Sequence, residues 1–182
     1  MTAFRPAGPG DVETIAALHV RSWREHYRGA YSDTFLDGEA SADRIAVWTE
    51  RLRRANPQGF TIVAEVDGAV VGFAYVIVDE DPTLGAVLQN LHVKSEAQRH
   101  GVGSGLVAEV ARTVGERRPG SGLHVWVREE NAPARAFYEA RGGTLAGKKL
   151  GGPFADGSRG PVVCYAWAVA GDDGHTGIGR LG

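Results

Sequence analysis

Little in this chain points to a special environment. A single cysteine, Cys164, stands among 182 residues, so no intrachain disulfide can form and no zinc cluster can be built from thiolates. Charge of one sign is lacking as well. Twenty Lys and Arg face 22 Asp and Glu, for a formal net charge of -2, which makes no electrostatic case for nucleic acid or an anionic membrane. No apolar run approaches membrane-spanning length, and Met1 to Gly10 lack the apolar core of a signal peptide. A reducing cytoplasm is the expected compartment. There is no internal repeat of useful length. What remains is ordinary for a globular protein, with 43% hydrophobic and 23% charged residues. The length suits one domain, expected over residues 1–170. From Gly171 the chain is glycine-rich and polar, and residues 171–182 are expected to be a disordered tail.

The most informative stretch is Val87 to Gly115. Val87 to Val93 are mostly apolar and read as a buried strand. A polar loop, Lys94 to Gln98, leads to three glycines at alternate positions, Gly101, Gly103 and Gly105. Leu106, Val107, Val110, Ala111 and Val114 follow at helical spacing. Strand, glycine-rich turn and helix start make a place for an anion. The first N–H groups of a helix have no partner inside it, and their dipoles add. Glycine lets a phosphate approach without meeting a Cβ. Arg99 and His100 bring positive charge beside the turn, so Gln98 to Ser104 reads as a diphosphate cradle.

Two glycine patterns overlap there. Gly103-Ser104-Gly105-Leu106-Val107-Ala108 fits the dinucleotide fingerprint G-x-G-x-x-A, with Glu129 about 20 residues on. Gln98-x-x-Gly101-x-Gly103 instead resembles the acetyl-CoA pyrophosphate loop of the GNAT N-acetyltransferase superfamily. Position separates them. A dinucleotide fold puts its first glycine at the strand end, whereas seven residues separate Val93 from Gly101, and no run of further βαβ units follows. The acetyltransferase pattern fits better.

The rest of the chain reads as alternating elements. Phe4 to Pro6 is a short strand, broken by Gly8-Pro9-Gly10. Asp11 then caps a helix with Val12, Ile15, Leu18, His19, Ser22 and Trp23 along one side, running on to Gly29. Ser41 caps a second helix lined by Ile45, Trp48 and Leu52 and ended by Asn56-Pro57. Phe60 to Val66 and Ala69 to Val78 are strands joined by Asp67-Gly68, a hairpin signal, and Gly72 marks a bulge or a close backbone approach. Asp79 to Pro82 is an acidic turn, Glu116 to Ser121 a loop, and Gly122 to Val127 a strand. Asn131 caps a helix with Pro133 in its first turn, stopping at Gly142-Gly143. Thr144 to Leu150 is a strand, Gly151 to Pro161 a glycine-rich turn, and Val162 to Val169 the last strand. This order resembles the GNAT fold over about residues 3 to 169. It implies an α/β (α+β) protein with a central mixed, mostly antiparallel sheet of six to seven strands and about four flanking helices.

A second signature supports the likeness: Asn131-x-x-Ala134-x-x-Phe137-Tyr138-Glu139-x-x-Gly142. The resemblance implies an enzyme that moves an acetyl group from acetyl-CoA to a primary amine of a small molecule or peptide. It implies acetyl-CoA as co-substrate and no metal, and a homodimer is common in the family. Leu91 and Val93 would meet the acetyl group, with the Val93 amide polarising its carbonyl. Gln98, Arg99, His100, Gly101, Val102, Gly103 and Ser104 would hold the pyrophosphate, and Asn131 the pantetheine. Tyr138 would protonate the departing thiolate, since a tyrosine with a pKa of about 10 can donate to it without a metal. Gly143 stands where many relatives have Phe, a departure that touches packing. Many relatives carry a carboxylate on the central strand; here Gln89 and Asn90 stand instead. His92, His124 and Asp79 to Asp81 are the alternatives for a base, and a water chain or an amine that arrives neutral would make one unnecessary. A lone strand histidine is more often packed than catalytic.

The acceptor wall is expected near Trp23, His26, Tyr27 and Tyr31, with Trp23 and Tyr27 able to share a helix face. His19, Cys164 and Trp167 read as packing residues, and Arg51, Arg53 and Arg54 as a solvated helix end. Two other functions fit part of the pattern. One is a regulatory module that binds acyl-CoA without catalysis; the other is a dinucleotide-dependent oxidoreductase.

Overall fold

A computed structural model of the chain describes residues 1–53 and 57–167. Its strands are β1 (Thr2–Pro6), β2 (Gly59–Val66), β3 (Ala69–Asp81), β4 (Gly85–Val93), β5 (Leu123–Arg128), β6 (Thr144–Gly151) and β7 (Gly160–Trp167). The α-helices among the described residues are α1 (Val12–His26), α2 (Ala40–Arg53), α3 (Val102–Arg117) and α4 (Ala132–Glu139). The strands form one seven-stranded sheet in the order β1-β2-β3-β4-β5-β7-β6. It is mixed: β4 and β5 run parallel, whereas β1–β2, β5–β7 and β6–β7 are antiparallel. This is the α/β architecture the residue patterns predict. None of the described helices is long and apolar enough to cross a membrane. Arg54, Asn56, Ala168, Val169 and the tail from Gly171 lie outside the described residues.

The chain divides into two compact units. The first comprises residues 1–75 and 90–109. Its core holds Ile15, Trp23, Leu36, Trp48, Phe73 and Leu106, all buried. The β2–β3 hairpin turns at Asp67 and Gly68 with φ of 51° and 79°, the left-handed pair that a tight two-residue hairpin needs. Gly72 is a close approach, because a Cβ there would lie 3.0 Å from the His92 carbonyl oxygen.

The helix starts differ from expectation. Asp11 does stand at the start of α1, but its side chain makes no cap. It is drawn instead to Arg5 at 2.8 and 2.9 Å and accepts from the Gly8 N–H. α1 ends at His26, with Tyr27 as its C-cap, before Gly29 is reached. Ser41 lies inside α2. The helical run there begins earlier, where the Ser32 hydroxyl accepts from Phe35 N–H at 3.3 Å. A π-helical turn, Phe35–Glu39, then carries it into α2. The inner stripe of α2 also differs. Ala40, Arg44 and Trp48 are buried, while Ile45 is 45% exposed.

The second unit comprises residues 76–89 with those described from 110 onward. Asp79 to Asp81 complete β3 and are not a turn. Asp81 instead caps the turn that follows, accepting from the Thr83 and Leu84 N–H groups at 2.8 Å. Glu116 and Arg117 still belong to α3. β6 runs to Gly151 with a bulge between Leu145 and Gly147.

The parallel ladder starts at a tight crossing. Ala86 N–H donates to the Gly122 carbonyl at 2.9 Å. Gly85 has φ of 79°, and a Cβ there would lie 2.4 Å from the Gly122 oxygen. Both the backbone conformation and the space exclude a side chain. Gly85→Ala is therefore expected to cost about 2–3 kcal/mol of folding stability, read by urea denaturation; a loss under about 0.5 kcal/mol would mean the crossing simply opens.

Candidate functional site

The stretch predicted as an anion cradle has an unusual backbone geometry. After β4 the chain makes a 3-10 turn, Ser95–Ala97. It then passes through two left-handed residues, Arg99 (φ 61°) and Gly101 (φ 81°). A non-glycine residue rarely takes that conformation. The kink turns the chain into α3, whose first turn holds Val102, Gly103 and Ser104. Val102 is buried and anchors the turn, while Gln98 to Gly101 lie at the surface. The cradle is also tied to the strand end: Gln98 Nε2 donates to the Val93 carbonyl at 3.1 Å.

Gly103 and Gly105 do not widen the turn, because both lie inside α3. Gly105 clears space for Phe4, whose ring would stand 2.2 Å from a Cβ. The G-x-G-x-x-A pattern here is therefore not a strand-to-helix dinucleotide turn.

Beside this segment the same unit builds an aromatic and histidine-rich wall. Trp23 packs edge-on against His19 at 4.4 Å and against Tyr31 at 5.0 Å between ring centroids. Tyr27 stacks on Tyr31 at 5.4 Å, so Tyr31 joins the pair predicted to share a helix face. Trp23 and Tyr31 are buried, Tyr27 is half-buried and His26 is exposed. The His26 Nδ1–H donates to the Ser22 carbonyl at 3.0 Å. Two of the four predicted acceptor residues are thus core residues that shape the wall from behind.

His92, on β4, contacts Ser22 of α1 through an Nδ1–Oγ hydrogen bond of 2.8 Å. Its ring tilts over His19 at 4.4 Å. The Trp48 indole N–H, which can only donate, bonds His19 Nδ1 at 3.2 Å, so His19 carries its proton on Nε2. Burial pushes both imidazoles down, His92 to about 3 and His19 well below its ordinary value, with the Arg44 charge adding to each. Both are neutral at ordinary pH.

Asp79 and Asp81, two of the other base candidates, are already engaged. Asp79 takes both Nε contacts of Arg118 at 2.9 and 3.0 Å, and that pairing lowers its pKa. Asp81 is lowered by the turn N–H groups of Leu84 and Thr83. His124 is buried, with Nε2 3.3 Å from a Glu80 carboxylate oxygen. Asn90 accepts from Arg51 Nη1 at 3.0 Å.

In the second unit Asn131 caps α4 as predicted, its Oδ1 accepting from Ala134 N–H at 3.1 Å. Tyr138 is buried, with its ring against Phe137, Tyr165 and Trp167. The Arg141 charge acts on Tyr138, and that guanidinium lies 3.6 Å over the Phe137 ring. Gly143 explains its own departure from the family pattern. A Cβ there would sit 2.9 Å from the Tyr138 carbonyl oxygen.

Sequence reasoning missed the contacts that Arg44, Arg51 and Ser22 make beside this wall. Arg51 is not a solvated helix end: it is half-buried, with its guanidinium over Tyr75 and Trp48. The signal was there in the spacing. Arg44, Trp48 and Arg51 follow i, i+4, i+7 and must share one face.

Comparison with known proteins agrees with this geometry. Residues 20–143 match the acetyltransferase (GNAT) family. A probable N-acetyltransferase of Mycobacterium tuberculosis is 28% identical over 160 residues, 82% of this chain and 86% of that protein. The uncharacterized N-acetyltransferase YuaI of Bacillus subtilis is 30% identical over 142 residues, 77% and 79% of the two chains. Among solved structures, the PaiA N-acetyltransferase of Thermoplasma acidophilum in complex with coenzyme A shares the fold. Its TM-score is 0.69 at 18% identity, over 90% of this chain and 98% of that one. The family match over residues 20–143 and the relative in Bacillus subtilis show that the chain belongs to the GNAT family of N-acetyltransferases, as an acyltransferase.

Proposed function

We propose that the chain transfers an acetyl group from acetyl-CoA to a primary amine of a small molecule or peptide, by direct attack. The observation that carries this reading is the entry to α3. Left-handed Arg99 and Gly101 turn the chain so that the first N–H groups of the helix head an exposed loop. Such N–H groups have no partner within the helix and attract phosphate. Gln98 to Ser104 hold the pyrophosphate there, with Arg99 adding charge.

Each remaining role falls to a residue of this chain. Gln98 fixes the peptide at the end of β4 by holding the Val93 carbonyl. Leu91 and Val93 meet the acetyl group, and the Val93 N–H donates to its oxygen as charge develops. Asn131 uses Oδ1 to cap α4 and donates from Nδ2 to the pantetheine arm. The amine nitrogen attacks the thioester carbon, the C–S bond breaks, and Tyr138 gives its proton to the sulfur. The amine loses its own proton to water or arrives neutral. His92, held neutral, serves Ser22 as a hydrogen-bond partner rather than storing a proton.

Calorimetric titration with acetyl-CoA, free CoA and NAD in parallel tests this. Acetyl-CoA is expected to bind at about 1–100 μM, or about -8 to -5 kcal/mol, with no response to NAD. NAD binding without acetyl-CoA binding would overturn it.

A further inference from the structure

Helix α1 is fastened to the end of β4 and to the turn that follows it, all within the first unit. Ser22 meets His92 on the strand, as described above. On either side of Ser22, Arg21 and Glu25 reach the 3-10 turn Ser95–Ala97. Arg21 donates from Nη1 and Nη2 to the two Glu96 carboxylate oxygens at 3.1 and 3.0 Å. Its Nε donates to Glu25 Oε1 at 2.8 Å. The Ser95 hydroxyl closes the circuit by donating to Glu25 Oε2 at 2.5 Å.

An isolated surface ion pair contributes little, but a bidentate arginine shared between two carboxylates is the geometry that counts. Arg21 and Glu25 lie one helical turn apart, so a rigid element presents both. The Ser95 hydroxyl and then Arg21 hold Glu25 below the ordinary carboxylate range. Glu96 is lowered by its own backbone N–H and by Arg21. Both carboxylates are therefore fully charged at ordinary pH.

The turn they grip leads straight into the cradle. Its backbone is held by Lys94 N–H on the Val71 carbonyl at 2.8 Å and Ala97 N–H on the Lys94 carbonyl at 2.8 Å. Gln98 N–H reaches the Ser95 carbonyl at 3.3 Å. The next residue, Arg99, is left-handed, a conformation a non-glycine residue keeps only where its surroundings enforce it. The circuit supplies part of that enforcement, and it does so from the helix that carries Trp23.

We propose that Arg21 and Glu25 are positioning residues for acetyl-CoA. They hold the Ser95–Ala97 turn, and through it Arg99 to Gly101, in the conformation that receives the pyrophosphate. Neither touches the cofactor. With the circuit broken the loop samples other conformations, and the apparent affinity falls with the fraction that stays competent. The inference rests on the reading above in which Gln98 to Ser104 hold the pyrophosphate.

Calorimetric titration with acetyl-CoA tests it on Arg21→Met, on Glu25→Met, and on Arg21→Glu combined with Glu96→Arg. Each single variant should weaken binding about 3- to 10-fold. Glu25→Met is the sharper of the two. It removes a negative charge, so plain attraction for the phosphates would tighten binding, whereas a loosened turn weakens it. The charge exchange restores a guanidinium between two carboxylates and should bring affinity back to within about 2-fold of the unaltered protein. Amide hydrogen exchange should quicken over residues 96–101 in the single variants and stay unchanged in β2. Melting temperatures should hold within about 2 °C, because Arg21 and Glu96 side chains are exposed. Equal or tighter binding by Glu25→Met, unchanged exchange over residues 96–101, or no recovery on charge exchange would overturn the proposal and leave the acetyl-CoA reading standing. A melting temperature that falls in step with affinity would overturn it as well, since the ion pairs would then support the whole fold. Failure of the unaltered protein to bind acetyl-CoA would overturn both.

Discussion

Lowering the pH from about 7.5 to about 5 is expected to remove about 2 kcal/mol of folding stability through His92, with His19 acting in the same direction. The sign follows from where the protons go. Unfolded histidine titrates near about 6.5, whereas folded His92 is pushed down to about 3 and His19 well below its ordinary value. Between those limits the unfolded chain binds more protons than the folded one, so stability is full above the unfolded value and falls as the pH drops toward the folded one. The structure gives the reason. Protonating His19 at Nδ1 would set a donor against the Trp48 N–H that it now accepts. A second cation would also join Arg44 and Arg51 in the same core. The paired carboxylates do not blur this window, since Asp11, Asp79 and Asp81 are all lowered and titrate below it. Against a typical total of about 5–15 kcal/mol, a loss of this size is large. Urea unfolding at half-unit steps of pH measures it. His92→Gln should flatten part of the slope, and a flat profile for the unaltered protein across the same range would contradict the neutral buried pair.

The parts of this fold that were legible are those whose cause is local. Asp67-Gly68 predicted its hairpin because the two left-handed residues are all the turn requires. Asn131 predicted its cap because the bonded N–H lies three residues on. The turn into α3 was legible at Gly101, while Gly103 and Gly105 proved to lie inside the helix, with Gly105 packing on Phe4. What could not be read were contacts made across the chain. Asp11 looked like a cap until Arg5 of β1 claimed its carboxylate. Ser41 looked like a cap, whereas a π-helical turn, Phe35–Glu39, already carries the helical run into α2. Arg51–Asn90 and Ser22–His92 span 39 and 70 residues, and no periodicity announces such pairs. Taking Ile45 and Leu52 as the inner face of α2 followed hydrophobicity alone. The true face carries Arg44, Trp48 and Arg51, whose guanidinium groups pack on aromatic rings.

Replacing Tyr138 by phenylalanine is expected to lower turnover by about 10²–10⁴-fold, the range of a lost general acid, with acetyl-CoA affinity unchanged. The substitution isolates the hydroxyl. The ring stays, and with it the contacts to Phe137, Tyr165 and Trp167 at 5.1 to 6.5 Å, so the fold loses little. In the proposed reading the pyrophosphate and pantetheine are held by Gln98 to Ser104 and Asn131, which the change does not touch. What disappears is the proton for the sulfur. Without it the thiolate must leave as an anion, and the tetrahedral adduct returns to the thioester more often than it goes forward. A second tyrosine nearby provides the contrast. The Tyr165 hydroxyl donates to Glu139 at 2.5 Å and accepts from Arg135 at 3.2 Å, so its proton is committed to α4. Tyr165→Phe should therefore lower the melting temperature more than the rate, while Tyr138→Phe should do the reverse. Single-turnover acetylation alongside calorimetry separates the two. Turnover at the wild-type level in Tyr138→Phe would remove the acid role, and water would then protonate the sulfur.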